Sequence, residues 1–166
     1  MGRLWLTVLL VLAACPARAG EGGMFGQGQT YFSLMAGSGY AFDHNYFVLG
    51  TGATHYVSDG LGIGFSIESW SGSSGPGITK YSPFVQYVFY QDALVQPYVG
   101  GFYRHTAING LPGIDSLGAR AGIYIPAARN AYIGAGMVYE SYLDCREYIY
   151  ATCNETFPEL SFIFGF

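Results

Sequence analysis

The chain has 166 residues, 51% of them apolar and only 11% charged, with 25 Gly, 15 Tyr, 12 Phe and a formal charge of −4. That length suits one domain, and the absence of a basic patch argues against nucleic acid as a partner. So few charges beside so many aromatic and Gly residues point to β-structure that does not meet water on every side.

The first 19 residues read as a secretory signal peptide. Arg3 supplies the positive start, Leu4–Ala14 is an apolar run too short to cross ~30 Å of bilayer as a helix, and Ala17–Ala19 is an A-x-A cleavage pattern. A competing pattern, "LAAC" ending on Cys15, looks like a lipoprotein acylation site, although Pro16 is awkward directly after it. Without Arg3 and Arg18 the balance is five basic to eleven acidic residues, a net of −6. Residues 20–27 form a short lead, and a single barrel domain is predicted over 28–166.

From there alternation governs the chain. "QTYFSLMAG" (Gln29–Gly37) and "YFVLGTGATHYV" (Tyr46–Val57) alternate loosely. "LGIGFSIES" is clean, with Leu61, Ile63, Phe65 and Ile67 on one face and Gly62, Gly64, Ser66 and Glu68 on the other. "KYSPFVQYVF" sets Tyr81, Pro83, Val85, Tyr87 and Phe89 against Lys80, Ser82, Phe84, Gln86 and Val88. "VQPYVGGFYRH" (Val95–His105) carries aromatics on both parities. "SLGARAGIYI" opposes Leu117, Ala119, Ala121, Ile123 and Ile125 to Ser116, Gly118, Arg120, Gly122 and Tyr124, and "AYIGAGMVYE" repeats the pattern. The eighth strand is "ELSFIFGF", its Leu160, Phe162, Phe164 and Phe166 spaced by two to the final residue.

The connections are expected to alternate as well. Val57–Gly60, Gln91–Ala93 and Pro126–Asn130 read as short turns, whereas Ser71–Thr79, Thr106–Gly113 and Leu143–Thr156 read as longer loops, with Phe42–Asn45 a short exception. A ten-residue strand of about 34 Å, tilted near 45°, stands roughly 24 Å tall, which fits the ~25 Å apolar band of a membrane barrel. Phe32, Tyr40, Phe42, Tyr81, Phe89, Tyr103, Tyr139, Phe162 and Phe166 fall where that band would meet the interfaces. A soluble ligand barrel would put many Lys and Glu on its exposed parity, and here that parity holds mostly Gly and Ser. The predicted fold is all-β: an eight-stranded antiparallel transmembrane barrel with up-and-down meander topology.

The terminal "FIFGF", the strand–turn–strand unit "GTGATHYVSDGLGIGF" and "QPYVGGFYRH" resemble the small eight-stranded outer-membrane barrels of Gram-negative bacteria, the OmpA-transmembrane-domain and OmpX-like group. The resemblance spans roughly Gly28 to Phe166 and is specific for barrel type, not for function. It implies an outer-membrane location after secretion, contact with outer-membrane lipid and lipopolysaccharide, and a C-terminal strand (Phe162, Phe164, Phe166) read by the barrel-assembly machinery. No periplasmic domain is expected after the barrel, so peptidoglycan anchoring is not implied.

Six charges share the inward parity: Glu68, Lys80, Arg104, Arg120, Glu140 and Glu159. In a narrow lumen they must pair, either as a closing plug or as a gated proton or ion path. Inward Gly62, Gly64, Gly118, Gly122, Gly134 and Gly136 leave room for bulky neighbours. Cys145 and Cys153 are expected to form a disulfide that constrains the unfolded chain by roughly 2–3 kcal/mol. The bridge would present Tyr148, Ile149 and Tyr150 as a contact tip, or merely resist proteolysis. A lipid A-modifying hydrolase would draw on His105, Asp115 and Ser116, but the "H-x-S-N" pattern of the lipid A 3-O-deacylase barrels is absent, since His105 is followed by "TAIN". His44 and His55 stand without metal-ligand spacing, and the Asn154–Thr156 sequon is uninformative in a bacterial setting. No cofactor, metal or catalytic site is expected. The function expected is a non-enzymatic barrel serving membrane integrity or surface interaction through its loops; a narrow channel for small or hydrophobic solutes is the alternative, ahead of the hydrolase.

Overall fold

A computed structural model of the chain describes residues 23–41, 44–72, 75–89, 94–143, 145 and 153–165. Eight strands follow one another: β1 (Thr30–Ala41), β2 (His44–Ser58), β3 (Leu61–Ser71), β4 (Ile78–Val88), β5 (Gln96–Ile108), β6 (Leu111–Ala128), β7 (Ala131–Tyr142) and β8 (Asn154–Gly165). Each pairs antiparallel with its neighbour in sequence, and β1 meets β8 to close the barrel. This is the meander that the alternation predicts. No helix among the described residues is long and apolar enough to cross a membrane.

The strands are longer than their alternation suggests, and one predicted loop does not exist. Thr106–Gly113 is mostly strand: β5 runs to Ile108, β6 starts at Leu111, and only Asn109 and Gly110 turn. Gly110 has φ of 79°, which the tight turn requires and which a residue with a Cβ resists. Asp59–Gly60 turns β2 into β3 in the same way, with φ of 75° at Gly60. The expected division into short and long ends is therefore uneven. At the end of the barrel where β1 begins and β8 finishes, residues 89–95 separate β4 from β5, more than the short turn expected at Gln91–Ala93. At the far end only residues 72–77 and 143–153 make longer connections. The signal peptide, Cys15 and residues 20–22 of the lead lie outside the described residues.

The parities separate as inside and outside. Leu34, Ile63, Phe65, Val85, Leu117 and Leu160 are among the large apolar side chains exposed on the outer wall, Leu160 by 62%. Polar side chains turn inward: Ser82, Gln86, Arg104, Ser116 and Glu140 are all buried. This is the inverse of a soluble barrel, whose apolar face fills the middle.

Inside, glycines and aromatic rings are complementary. A Cβ on Gly64 would collide with the Phe84 ring, and one on Gly118 with the Phe102 ring. A Cβ on Gly136 would lie 2.5 Å from the Tyr98 hydroxyl. Small residues at these positions thus let large neighbours cross a lumen only eight strands wide.

The apolar outer wall has a direct consequence. Phe65→Arg, placed halfway along β3, is expected to weaken folding into phosphatidylcholine vesicles by about 2–4 kcal/mol. Reversible urea unfolding in vesicles measures it, and a wall that faces water would show little change.

Candidate functional site

The lumen is built in three layers. At the terminal end, Tyr31, Tyr56, Val88, Tyr98, Tyr124 and Ile163 form an apolar cluster around Phe25, which is 1% exposed. Phe25 comes from the lead, which sequence reasoning left without a role. Its ring lies 5.6 Å from Tyr124, 5.7 Å from Tyr56 and 5.0 Å from Tyr132. Backbone bonds hold the segment in place. Gly60 N donates to Phe25 O and Gly28 N to Tyr56 O, each at 2.8 Å, and Gln27 N reaches Asp59 Oδ1 at 2.8 Å. The glycines around Phe25 disguise it as a linker; the signal that could have found it is one large aromatic in an otherwise small, polar stretch.

The middle layer is ionic. Arg104 on β5 donates from Nη1 to Glu140 Oε2 at 2.6 Å and from Nη2 to Glu68 Oε1 at 2.9 Å. Those carboxylates stand on β7 and β3, so one guanidinium ties together three alternate strands. Its Nε donates to Ser82 Oγ at 2.9 Å, and Ser116 Oγ donates to Glu140 Oε1 at 2.5 Å. Lys80 is buried too, with its ammonium 4.1 Å from the centre of the Trp70 ring, an attraction that sheltering from water strengthens. Arg120 is held less tightly: Glu159 is 3.8 Å away, Gln86 3.4 Å, and the guanidinium lies 4.1 Å over Phe84.

At the far end Tyr46, Ile78 and Ile108 are buried together, with Trp70 and Ile114 against them. The six predicted lumen charges therefore face one interior as three acids and three bases. The structure joins Arg104 to Glu68 and Glu140, and places Arg120 beside Glu159. It leaves Lys80 on an aromatic ring, with no carboxylate within ion-pair distance among the described residues.

The remaining predicted residues fall elsewhere. Cys145 and Cys153 are bonded, with Cα atoms 5.6 Å apart. Tyr148, Ile149, Tyr150 and Phe166 lie outside the described residues. Phe162 is exposed on the outer wall, and Phe164 pairs with Phe32 on β1 and Ala131 on β7. Tyr81, Phe89, Tyr103 and Tyr139 are also exposed on that wall.

The hydrolase constellation does not assemble. His105 Nδ1 is 2.6 Å from Asp115 Oδ1 on the outer wall, but Ser116 is fully buried in the lumen and bound to Glu140. Neighbouring strand residues face opposite ways, so the wall itself separates the hydroxyl from the imidazole. His55 rests against Thr30 Oγ1 at 3.0 Å, and no group of three or more His, Cys, Asp or Glu is gathered among the described residues.

Comparison with solved structures agrees with this architecture. The N-terminal β-barrel domain of Pseudomonas aeruginosa OprF is similar over 85% of this chain and 99% of its own, with a TM-score of 0.67 and 15% identity. Neisserial surface protein A (NspA) is similar over 83% of this chain and 96% of its own, with a TM-score of 0.54 and 14% identity. No protein-family model and no curated protein matches the sequence. The chain thus has the fold of the small eight-stranded outer-membrane barrels.

Two measurements probe the lumen. Arg104→Met strands two buried carboxylates and is expected to cost roughly 3–5 kcal/mol in urea unfolding, whereas Ser82→Ala, which removes one hydrogen bond, costs about 1 kcal/mol. Phe25→Ala is expected to speed amide exchange at Gly28 and Gly60 about tenfold or more while leaving Arg104 unchanged, because the lead can open locally. Equal acceleration at all three amides would mean that the segment is integral to global stability.

Proposed function

We propose that the chain is a non-enzymatic outer-membrane barrel, closed along its axis, that serves membrane integrity or surface interaction through its outer loops. The observation that carries this reading is the filled lumen: the Arg104–Glu68–Glu140 bridge lies between an aromatic cork and an apolar cap. Eight strands enclose a space that side chains can occupy, and here they do.

The apolar outer wall supports a bilayer setting, because a closed barrel is the strand-built way to satisfy every backbone group in lipid. The shared fold of the OprF barrel domain and NspA supports the outer membrane as that bilayer. On this reading a signal peptide over residues 1–19 directs secretion, and the terminal end of the barrel faces the periplasm. The β8 strand, with Phe162, Phe164 and Phe166, is what the assembly machinery would engage. Lipid and lipopolysaccharide then surround the wall. The Cys145–Cys153 bridge would hold Tyr148, Ile149 and Tyr150 as a contact surface, since loops on a rigid scaffold carry recognition.

Planar-bilayer recording of the refolded full-length barrel tests the closed axis. The expected trace has no conductance steps, and steps of uniform size would assign a channel instead. Mass spectrometry of lipid A incubated with the same protein is expected to show unaltered acyl chains; a shortened product would overturn the non-enzymatic reading.

A further inference from the structure

The wall is not zipped equally around its circumference. β1 pairs with β2 through twelve residues, from Thr30–His55 to Ala41–His44, and β7 pairs with β8 through eleven. Between β1 and β8 the ladder among the described residues holds four pairs, Tyr31–Gly165, Phe32–Phe164, Ser33–Ile163 and Leu34–Phe162. Beyond Leu34 and Phe162 both strands continue to the far end, but not as partners. A barrel normally abolishes its edges, and in lipid an unpaired backbone group costs several kcal/mol.

The local sequence suits an opening. Ala36, Gly37 and Ser38 are small and exposed, and a side chain built on Gly37 would meet nothing within 4 Å. Opposite them β8 carries Pro158, which has no N–H to offer a ladder and belongs on sheet edges. Leu34, Ala36, Pro158 and Leu160 make the outward lips, all exposed.

Inside the point where pairing stops lies a cavity of about 20 Å³, lined by Met35 of β1, Glu159 and Ser161 of β8, and Gln86, Arg120 and Tyr124 behind them. That is room for a water or a head the size of a hydroxyl. Arg120 brings hydrogen-bonding capacity to this space, because among the described residues its buried Nε–H has no partner and its other contacts are long. Glu159 beside it cancels its charge, so the cavity favours an uncharged head.

We propose that the far-end half of the β1–β8 seam is a lateral binding cleft for a single-chain amphiphile with a small uncharged hydrogen-bonding head. The head bonds to Arg120, and the chain lies between the lips of β1 and β8. The proposal rests on the reading of the wall as bilayer-spanning.

The test uses the full chain refolded into phosphatidylcholine vesicles that contain a long-chain alcohol bearing a photoreactive diazirine. Mass spectrometry is expected to place label on Met35–Ser38 and Pro158–Ser161, displaced by unlabelled alcohol but not by a long-chain carboxylate. Gly37→Trp, at a site where an added Cβ meets nothing within 4 Å, fills the cleft from the lumen-facing parity, and its labelling falls about tenfold. Val85→Trp, on the outer wall of β4 across the barrel from the seam, leaves labelling within about twofold of wild type. Labelling spread evenly around the wall, or unchanged in Gly37→Trp, overturns the cleft, and equal displacement by the carboxylate overturns the uncharged head. Insertion is read separately by protease protection. A chain that fails to insert refutes the bilayer reading, whereas one that inserts without local labelling refutes only the cleft.

Discussion

Arg104 binds Glu68 and Glu140 at once, and much of the interior is arranged around that bridge. A guanidinium in a space this narrow cannot stay unpaired, because removing it from water costs several kcal/mol that only well-aimed carboxylates offset. Its planar fork suits the task, since separate nitrogens can meet acceptors on different strands. The second oxygen of each carboxylate is answered too, by Ser116 Oγ on Glu140 Oε1 and more loosely by Trp70 Nε1 at 3.4 Å from Glu68 Oε2. With the middle of the lumen committed to polar groups, apolar packing is pushed to the two ends. Phe25 and Tyr46 are accordingly both buried, at opposite ends of the barrel.

The same narrowness explains the glycines. Aromatic rings such as Phe84 and Phe102 project from one strand over its neighbour, and the neighbour presents Gly64 or Gly118 beneath the ring. Flat rings over bare backbone fill an eight-strand interior while keeping the strands at ladder distance. Arginine extends the pattern: Arg120 lies over Phe84 and Arg104 lies 4.6 Å from the Phe102 ring. The wall, the rings and the charges are therefore a single packing solution.

Much of this was legible because a two-residue period assigns a face to every residue once one strand is oriented. Leu61 to Ile67 fixed the apolar parity, and Glu68, Lys80 and Arg120 followed as lumen residues. Pairing was not legible, since β3, β5 and β7 are not neighbours and no local pattern says that Arg104 chooses Glu68 and Glu140 over Glu159. The Asn109–Gly110 turn carried its own signal, an Asn-Gly pair, which the loop-like Pro112 and Gly113 just after it obscured. Phe25 was missed because its place depends on six strands converging at the terminal end of the barrel, and its own neighbourhood offers only a lone large aromatic among small residues.

Closure between β1 and β8 is the longest-range pairing in the chain, and long-range pairings carry the largest loop-closure cost. What offsets that cost differs along the seam. Where the ladder holds, Tyr31 and Ile163 belong to the cluster around Phe25, and a Cβ on Gly165 would strike the Tyr31 ring, so packing and pairing reinforce each other. Where the ladder stops, β1 offers Ala36, Gly37 and Ser38, which have too little side chain to pack against β8. Pairing there would stand on backbone bonds alone, and Pro158 cannot donate one. The cork and the cleft are thus linked by one rule: the barrel closes where its lumen gives β1 and β8 something to grip.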